Sequence, residues 1–171
     1  MRAVIMAGGK GTRLRPFTAT LPKPLVPIGD RSILDIVLAQ LRRAGVDRVT
    51  MAVNHLAHLI MAYFGDGSRQ GLQIDYSLED KPLSTIGPLK LIDDLPETFF
   101  VMNGDVLTDL DYRRLHEYHV ENDADITVAT FDRDSKIDFG VLKHDQANRV
   151  VGFIEKPVYH FSVSMGVYVL S

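Results

Sequence analysis

The sequence predicts an α/β fold, an open and mostly parallel sheet covered by helices on both faces. Three observations predict it. Short apolar runs of strand length alternate with stretches of helical periodicity. The first run stops at a glycine cluster, where open α/β sheets place their ligand sites. The 171 residues are 46% hydrophobic and 24% charged, the composition of a globular chain able to bury a core.

Residues 3–6 form a brief apolar run of the kind that becomes a buried parallel strand. After a long loop, 32–44 carries Ile33, Leu34, Ile36, Val37, Leu38 and Leu41 at helical spacing, with Gly45 placed to end the helix. Residues 49–53 read as a second strand and 55–64 as a second helix, stopped by Gly65 and Gly67. The run 72–77 alternates apolar and polar, and 99–102 is apolar up to Asn103, Gly104 and Asp105. A helix follows at 111–122 and a strand at 126–131. From Phe139 the pattern changes to a hairpin, 140–144 and 149–154 about a turn at 145–148, which is antiparallel. The chain then closes on the apolar strand 166–170, with no helix behind it. An uncovered last strand is a liability, so the expectation is one domain over 1–171 that lacks its C-terminal part.

Composition excludes several classes. With no cysteine there is no disulfide framework, thiolate metal site or cysteine nucleophile, and a cytoplasmic location is expected. No apolar run is long enough to span a membrane, so no membrane partner is expected. The net charge of −3 argues against nucleic acid as a partner. Its distribution is uneven: residues 1–29 hold five cations and no acid, leaving 14 cations against 22 acids in the rest. A basic, glycine-rich opening on an acidic body suggests a focused anion site.

The candidate site starts at 8–16, GGKGTRLRP. Three glycines in four positions let the backbone approach a ligand and turn N–H groups toward an anion, with Lys10, Arg13, Arg15 and Lys23 nearby. A Walker loop would need Ser or Thr after Gly9-Lys10, but Gly11 stands there. A dinucleotide fingerprint would need a helix opening inside the loop and an acid closing the second strand, but Asn54 closes it. Pro22 and Pro24 fix the backbone around Lys23, so its ammonium has less freedom to lose on clamping a triphosphate. Asp105, at a strand tip, is placed to hold Mg²⁺ through oxygen.

These residues resemble a family. GGKGTRLRPFTATLPKPLVPIG at 8–29, followed in order by VMNGDVLTD and FIEKP, is similar to the sugar-1-phosphate nucleotidyltransferases, or nucleotide-sugar pyrophosphorylases, across essentially the whole chain. The mannose-1-phosphate guanylyltransferase-like branch resembles it most. The resemblance implies a Rossmann-like core of the nucleotide-diphospho-sugar transferase type. It implies transfer of a nucleotidyl group from an NTP to a sugar 1-phosphate, with pyrophosphate released and GTP and mannose 1-phosphate favoured. Carried over by motif, Gly8, Gly9, Gly11 and Thr12 approach the nucleotide, and Arg13 and Lys23 hold its phosphates. Asp105 binds Mg²⁺, Glu79 and Ser84 fall at base-contacting positions, and Gly140, Glu155 and Lys156 hold the sugar and its phosphate. The implied partners are therefore the NTP and the sugar phosphate, and the chain is compatible with a homo-oligomer.

Departures from the family pattern matter. Ser84 stands where glycine is common, Pro88 replaces a small residue, and Ser164-Met165-Gly166 replaces Asn-Ala-Gly. A second metal-binding aspartate, expected from later sequence, is absent. Two rival readings follow: a nucleotide-sensing regulatory module of the same fold, and another nucleotidyl transfer such as cytidylyl transfer to choline phosphate. The histidine pairs His55/His58 and His116/His119 lack a clear further ligand set, so surface or partly buried histidines are expected.

Overall fold

The computed structural model of the chain describes residues 1–9, 11, 12, 16–79, 83 and 86–171, with only the backbone of Phe17. Strand β1 (Arg2–Met6) is followed by two 3₁₀ turns, Phe17–Ala19 and Lys23–Leu25, and by the short antiparallel pair β2 (Pro27–Ile28) and β3 (Arg31–Ser32). Helix α1 (Ile33–Arg43) begins as its sequence dictates. The Ser32 hydroxyl accepts from the Asp35 N–H at 3.1 Å while the Asp35 carboxylate accepts back from Ser32, a capping box. It ends in a Schellman motif: Gly45, at φ +96°, donates to Arg42 O and Val46 donates to Leu41 O, both at 3.0 Å. Its apolar face buries Leu34, Val37, Leu38 and Leu41 completely, each contributing about 2 kcal/mol by area.

β4 (Arg48–Val53), α2 (Ala57–Phe64) and β5 (Gln73–Leu78) follow, then a 3₁₀ turn Gly87–Leu91 and β6 (Phe99–Asn103). α3 (Tyr112–Glu121) is capped by Asp111, whose carboxylate accepts from the Arg114 N–H at 3.1 Å. The last elements are β7 (Ile126–Lys136), the antiparallel hairpin β8 (Val141–His144) and β9 (Val150–Ile154), and β10 (Val158–Leu170). The second helix starts two residues later than the periodicity predicts, because Leu56 takes a left-handed φ of +55° and Ala57 is the first helical residue. β7 runs past its predicted limit into the polar sequence 132–136, and β10 begins at Val158 rather than at Gly166.

The main sheet has the order β5-β4-β1-β6-β10-β7. β1 is parallel to β4 and β6, and β4 to β5, whereas β10 is antiparallel to β6. This is the mixed, mostly parallel α/β sheet that the sequence predicts. Helical segments cover both faces. Val4, Phe99, Val101 and Leu170 lie under Leu89, Ile92 and Leu95 of the β5-to-β6 crossover. Phe100, on the other face, meets Tyr112 of α3 edge-on at 6.0 Å between ring centres. Burial there pushes the Tyr112 phenol up to about 12.

Chain contacts divide the molecule into two compact units, 1–129 with 166–171, and 130–165. One histidine expectation is corrected. His119 is 1% exposed, with its ring nitrogens 2.8 Å from the hydroxyls of Thr127 and Ser171, so it is a core residue satisfied by two hydroxyls. His55 lies before α2, and His58 lies within it. Among the described residues no helix is long and apolar enough to cross a membrane.

Candidate functional site

Four neighbouring parallel strands end at one edge of the sheet, and each delivers a candidate residue just past its carboxyl end. In spatial order these are Glu79 after β5, Asn54 after β4, Gly8 after β1, and Asp105 after β6. The chain leaves β1 toward β4 on one side and returns to β6 on the other. The gap between Gly8 and Asp105 is therefore a topological switch point, where ligands of open α/β sheets bind.

Backbone placement explains the glycines. A Cβ on Gly8 would stand 3.1 Å from Glu79 Oε1 and 3.2 Å from Asn54 Cβ, so a side chain there would press on both. Gly104 is similarly tight: its N–H donates to Met6 O at 3.0 Å, and a Cβ would sit 3.0 Å from Ile5. That contact ties the tip of β6 to the tip of β1 and sets where Asp105 begins. Gly11 has φ +58°, and a Cβ would lie 2.9 Å from the Thr18 side chain and 3.3 Å from Lys23 Cβ. Thr18 is buried and its hydroxyl donates to Gly11 O at 2.7 Å, strapping the glycine loop to the first 3₁₀ turn. Around Gly9, by contrast, the space where a Cβ would point is open.

Lys23 opens the second 3₁₀ turn, between the buried Pro22 and Pro24. Its ammonium forms an ion pair with the Asp105 carboxylate; the lysine is 37% and the aspartate 24% exposed, so both remain within reach of a solute. Glu79 is half-buried. Its Oε2 accepts from the Leu83 N–H at 3.2 Å, and its backbone carbonyl accepts from Asn54 Nδ2 at 2.7 Å. Gly8, Gly11, Lys23, Glu79 and Asp105 thus gather at one edge. Thr12 lies exposed on the same loop, and Arg13 and Ser84, with Lys10 and Arg15, lie outside the described residues.

Gly140, Glu155 and Lys156 belong to the second unit. A Cβ on Gly140 would fall 2.4 Å from the Phe153 ring and 3.5 Å from Glu155 Oε2, so glycine is what lets that ring and carboxylate close in. Lys156 follows at φ +43°.

Sequence reasoning missed Asn54 and Thr18 as site-building residues. Asn54 was legible as the residue at a strand's carboxyl end. Thr18 carried no such mark, because only the fold shows its hydroxyl on Gly11.

A metal can be tested against these donors. Among the described residues no group of three or more acids or histidines could hold an ion. Asp105 by itself suits Mg²⁺, which commonly takes one or two carboxylates and completes its shell with substrate phosphates and water. It is a hard oxygen donor, partly exposed, whose one ion-pair partner among the described residues is the Lys23 ammonium.

Comparison with known proteins finds similarity along the whole chain. Residues 2–171 match the family "Nucleotidyl transferase". A mannose-1-phosphate guanyltransferase of Yarrowia lipolytica is 36% identical over all of this chain and 49% of its own length. A UTP–glucose-1-phosphate uridylyltransferase of Synechocystis is 37% identical over 99% of this chain and 48% of its own. The chain spans about half the length of the curated relatives it matches. Among solved structures, HddC of Yersinia pseudotuberculosis superposes with a TM-score of 0.76 at 29% identity, over 99% of this chain and 76% of HddC, and HddC is also solved in complex with GMP-PN.

Proposed function

The chain belongs to the nucleotidyl transferase family, and from that premise we propose that it transfers a nucleotidyl group from an NTP to a sugar 1-phosphate. The observation that carries this reading is the Lys23–Asp105 ion pair beside the glycine loop, at the switch point between β1 and β6. An ammonium resting on a carboxylate can exchange that anion for a phosphate. When a triphosphate enters beside Gly8, Gly9 and Gly11, Lys23 moves to its phosphates and leaves Asp105 free. Asp105 would hold Mg²⁺, which would supply charge neutralisation to the phosphates.

In the reaction an oxygen of the sugar phosphate bonds to the α-phosphorus as the α–β bridging bond breaks. Pyrophosphate departs with that bond's electron pair. The chain's task is alignment of two anions and relief of their repulsion, for which Lys23 and Arg13 are the cations and the loop N–H groups the neutral donors. Glu79, beside Gly8, offers a carboxylate to base N–H groups. Guanine presents two such donors on one edge, which favours GTP. In the second unit, Glu155 accepts sugar hydroxyls and Lys156 pairs with the sugar's phosphate. Mannose 1-phosphate is the favoured acceptor, on the names of several relatives.

The test is pyrophosphate release with Mg²⁺ across a panel of NTPs and sugar 1-phosphates. The expected maximum is GTP with mannose 1-phosphate. A maximum with UTP and glucose 1-phosphate would reassign the substrates, as the Synechocystis relative suggests. Nucleotide binding with no release for any pair would make the chain a sensing module.

A further inference from the structure

A cavity of about 470 Å³ opens on the outer side of α1, lined by Arg31, Arg42, Arg43, Arg69, Asp35 and Gln70. None of these residues belongs to the proposed nucleotide or sugar sites. Four arginines line a space sized for a small metabolite.

Their partners are unusual. Arg31 donates to Asp35 O at 2.8 Å, Arg42 to Gln70 O at 3.3 Å and Arg43 to Ala39 O at 3.2 Å, all neutral backbone oxygens. Among the described residues, the ion pairs of the first unit are made by Met1, Arg2, Lys23 and Arg48, and by none of these four arginines. The one lining carboxylate is engaged elsewhere: Asp35 Oδ2 accepts from the Ser32 hydroxyl at 2.9 Å and from Tyr63 at 2.7 Å. Backbone geometry also makes room for the cluster. Gly71 has φ +68°, and a Cβ there would fall 2.5 Å from Arg42 Cζ, so its absence lets the guanidinium lie flat on the chain. Gln70 adds a neutral amide to the lining.

We propose that this cavity binds a small phosphorylated molecule. The guanidinium forks grip the phosphate oxygens in pairs. Backbone carbonyls aim the arginines without neutralising them, and Asp35 offsets one of the four charges, so the remaining countercharge is the ligand's.

Amide chemical shifts of the isotopically labelled chain, titrated with glycerol 3-phosphate and separately with inorganic phosphate, test this. The expected shifts centre on Arg31, Arg42, Arg69 and Gln70, with glycerol 3-phosphate binding more tightly than phosphate. The double substitution Arg42→Gln, Arg69→Gln should weaken binding about tenfold or more, and Arg42→Lys, Arg69→Lys by less, because charge remains while the fork is lost. Lys23→Ala should leave these shifts in place. Binding that survives the glutamine pair, or that disappears in Lys23→Ala, overturns the proposal. So does an oligonucleotide that binds through the same arginines more tightly than glycerol 3-phosphate, which would make the patch a polyanion surface.

Discussion

At the amino ends of β1 and β4, Arg2 and Arg48 share the carboxylate of Asp94, at 2.9 and 2.8 Å, and Arg48 also holds Asp75 at 2.6 Å. Arg2 donates further to the Thr50 hydroxyl at 2.9 Å and is itself 6% exposed. At the carboxyl ends of the same strands there are glycines, a lysine carried in from a loop, and a carboxylate paired with it. One edge of the sheet closes its charges on one another across strands and crossover. The other gathers them from separate segments and leaves them partly exposed. The difference teaches how one sheet can be anchored and still carry an open site: cross-strand pairs fix the register at one edge, so that the other can be assembled from loops.

The comparison breaks most visibly at Asp105 and Lys23. Asp105→Asn or Lys23→Ala should lower kcat by about 10²- to 10³-fold, the usual loss for one contact to developing charge. The urea midpoint should stay near wild type, since neither side chain supports the core. Steady-state pyrophosphate release together with urea unfolding reads both quantities. Normal turnover in either variant would move the chemistry away from this edge.

Gly11→Ala should act on both quantities, and more weakly. A left-handed φ costs an L-residue about 1–2 kcal/mol, and the new methyl meets Thr18 at 2.9 Å, so stability falls by that order. Because Thr18 straps this loop to the turn preceding Lys23, nucleotide affinity should fall as well. Calorimetric binding of an NTP beside a urea titration would show it. Lost stability with unaltered binding would mean that the strap is merely structural.

Much of this was legible in the sequence, for physical reasons. Each β–α alternation announces itself by period, and α1 carries its own start in Ser32 and Asp35 and its own stop in Gly45. Gly8, Gly11, Lys23 and Asp105 were legible because glycine clusters and proline-flanked cations are rare without cause. The burial of His119 was not. Its partners, Thr127 and Ser171, come from a neighbouring strand and the chain end, and no local pattern marks a polar triad inside a core. The Asp94 junction was equally invisible, since Arg2, Thr50, Asp75 and Asp94 meet only once the strands are in register. The four-arginine cavity joins residues of α1 to a turn about 30 positions later, and charge counts along the chain do not reveal such a meeting.

The amino-end junction gives the smallest effect and the one most specific to the anchored edge. Asp94→Asn should lower the urea midpoint while leaving kcat unchanged, because Arg2 is buried and loses its only carboxylate among the described residues. The hydrogen bond from Arg2, with that from Arg48, holds the Asp94 carboxyl at about 2, below the usual carboxylate range. Its pKa is thus lower in the folded chain than in the unfolded one. Between pH of about 4 and 2 the unfolded chain takes up this proton first, so the stabilisation is complete above that window and disappears as pH falls through it. The difference in midpoint between wild type and Asp94→Asn should therefore be constant from neutral pH down to about 4 and shrink toward pH 2. Asp94 is 57% exposed, so high salt should narrow the same difference at neutral pH. A difference that persists unchanged at pH 2 would show that the asparagine disturbs packing rather than charge. The contrast between the two edges would then rest on shape alone.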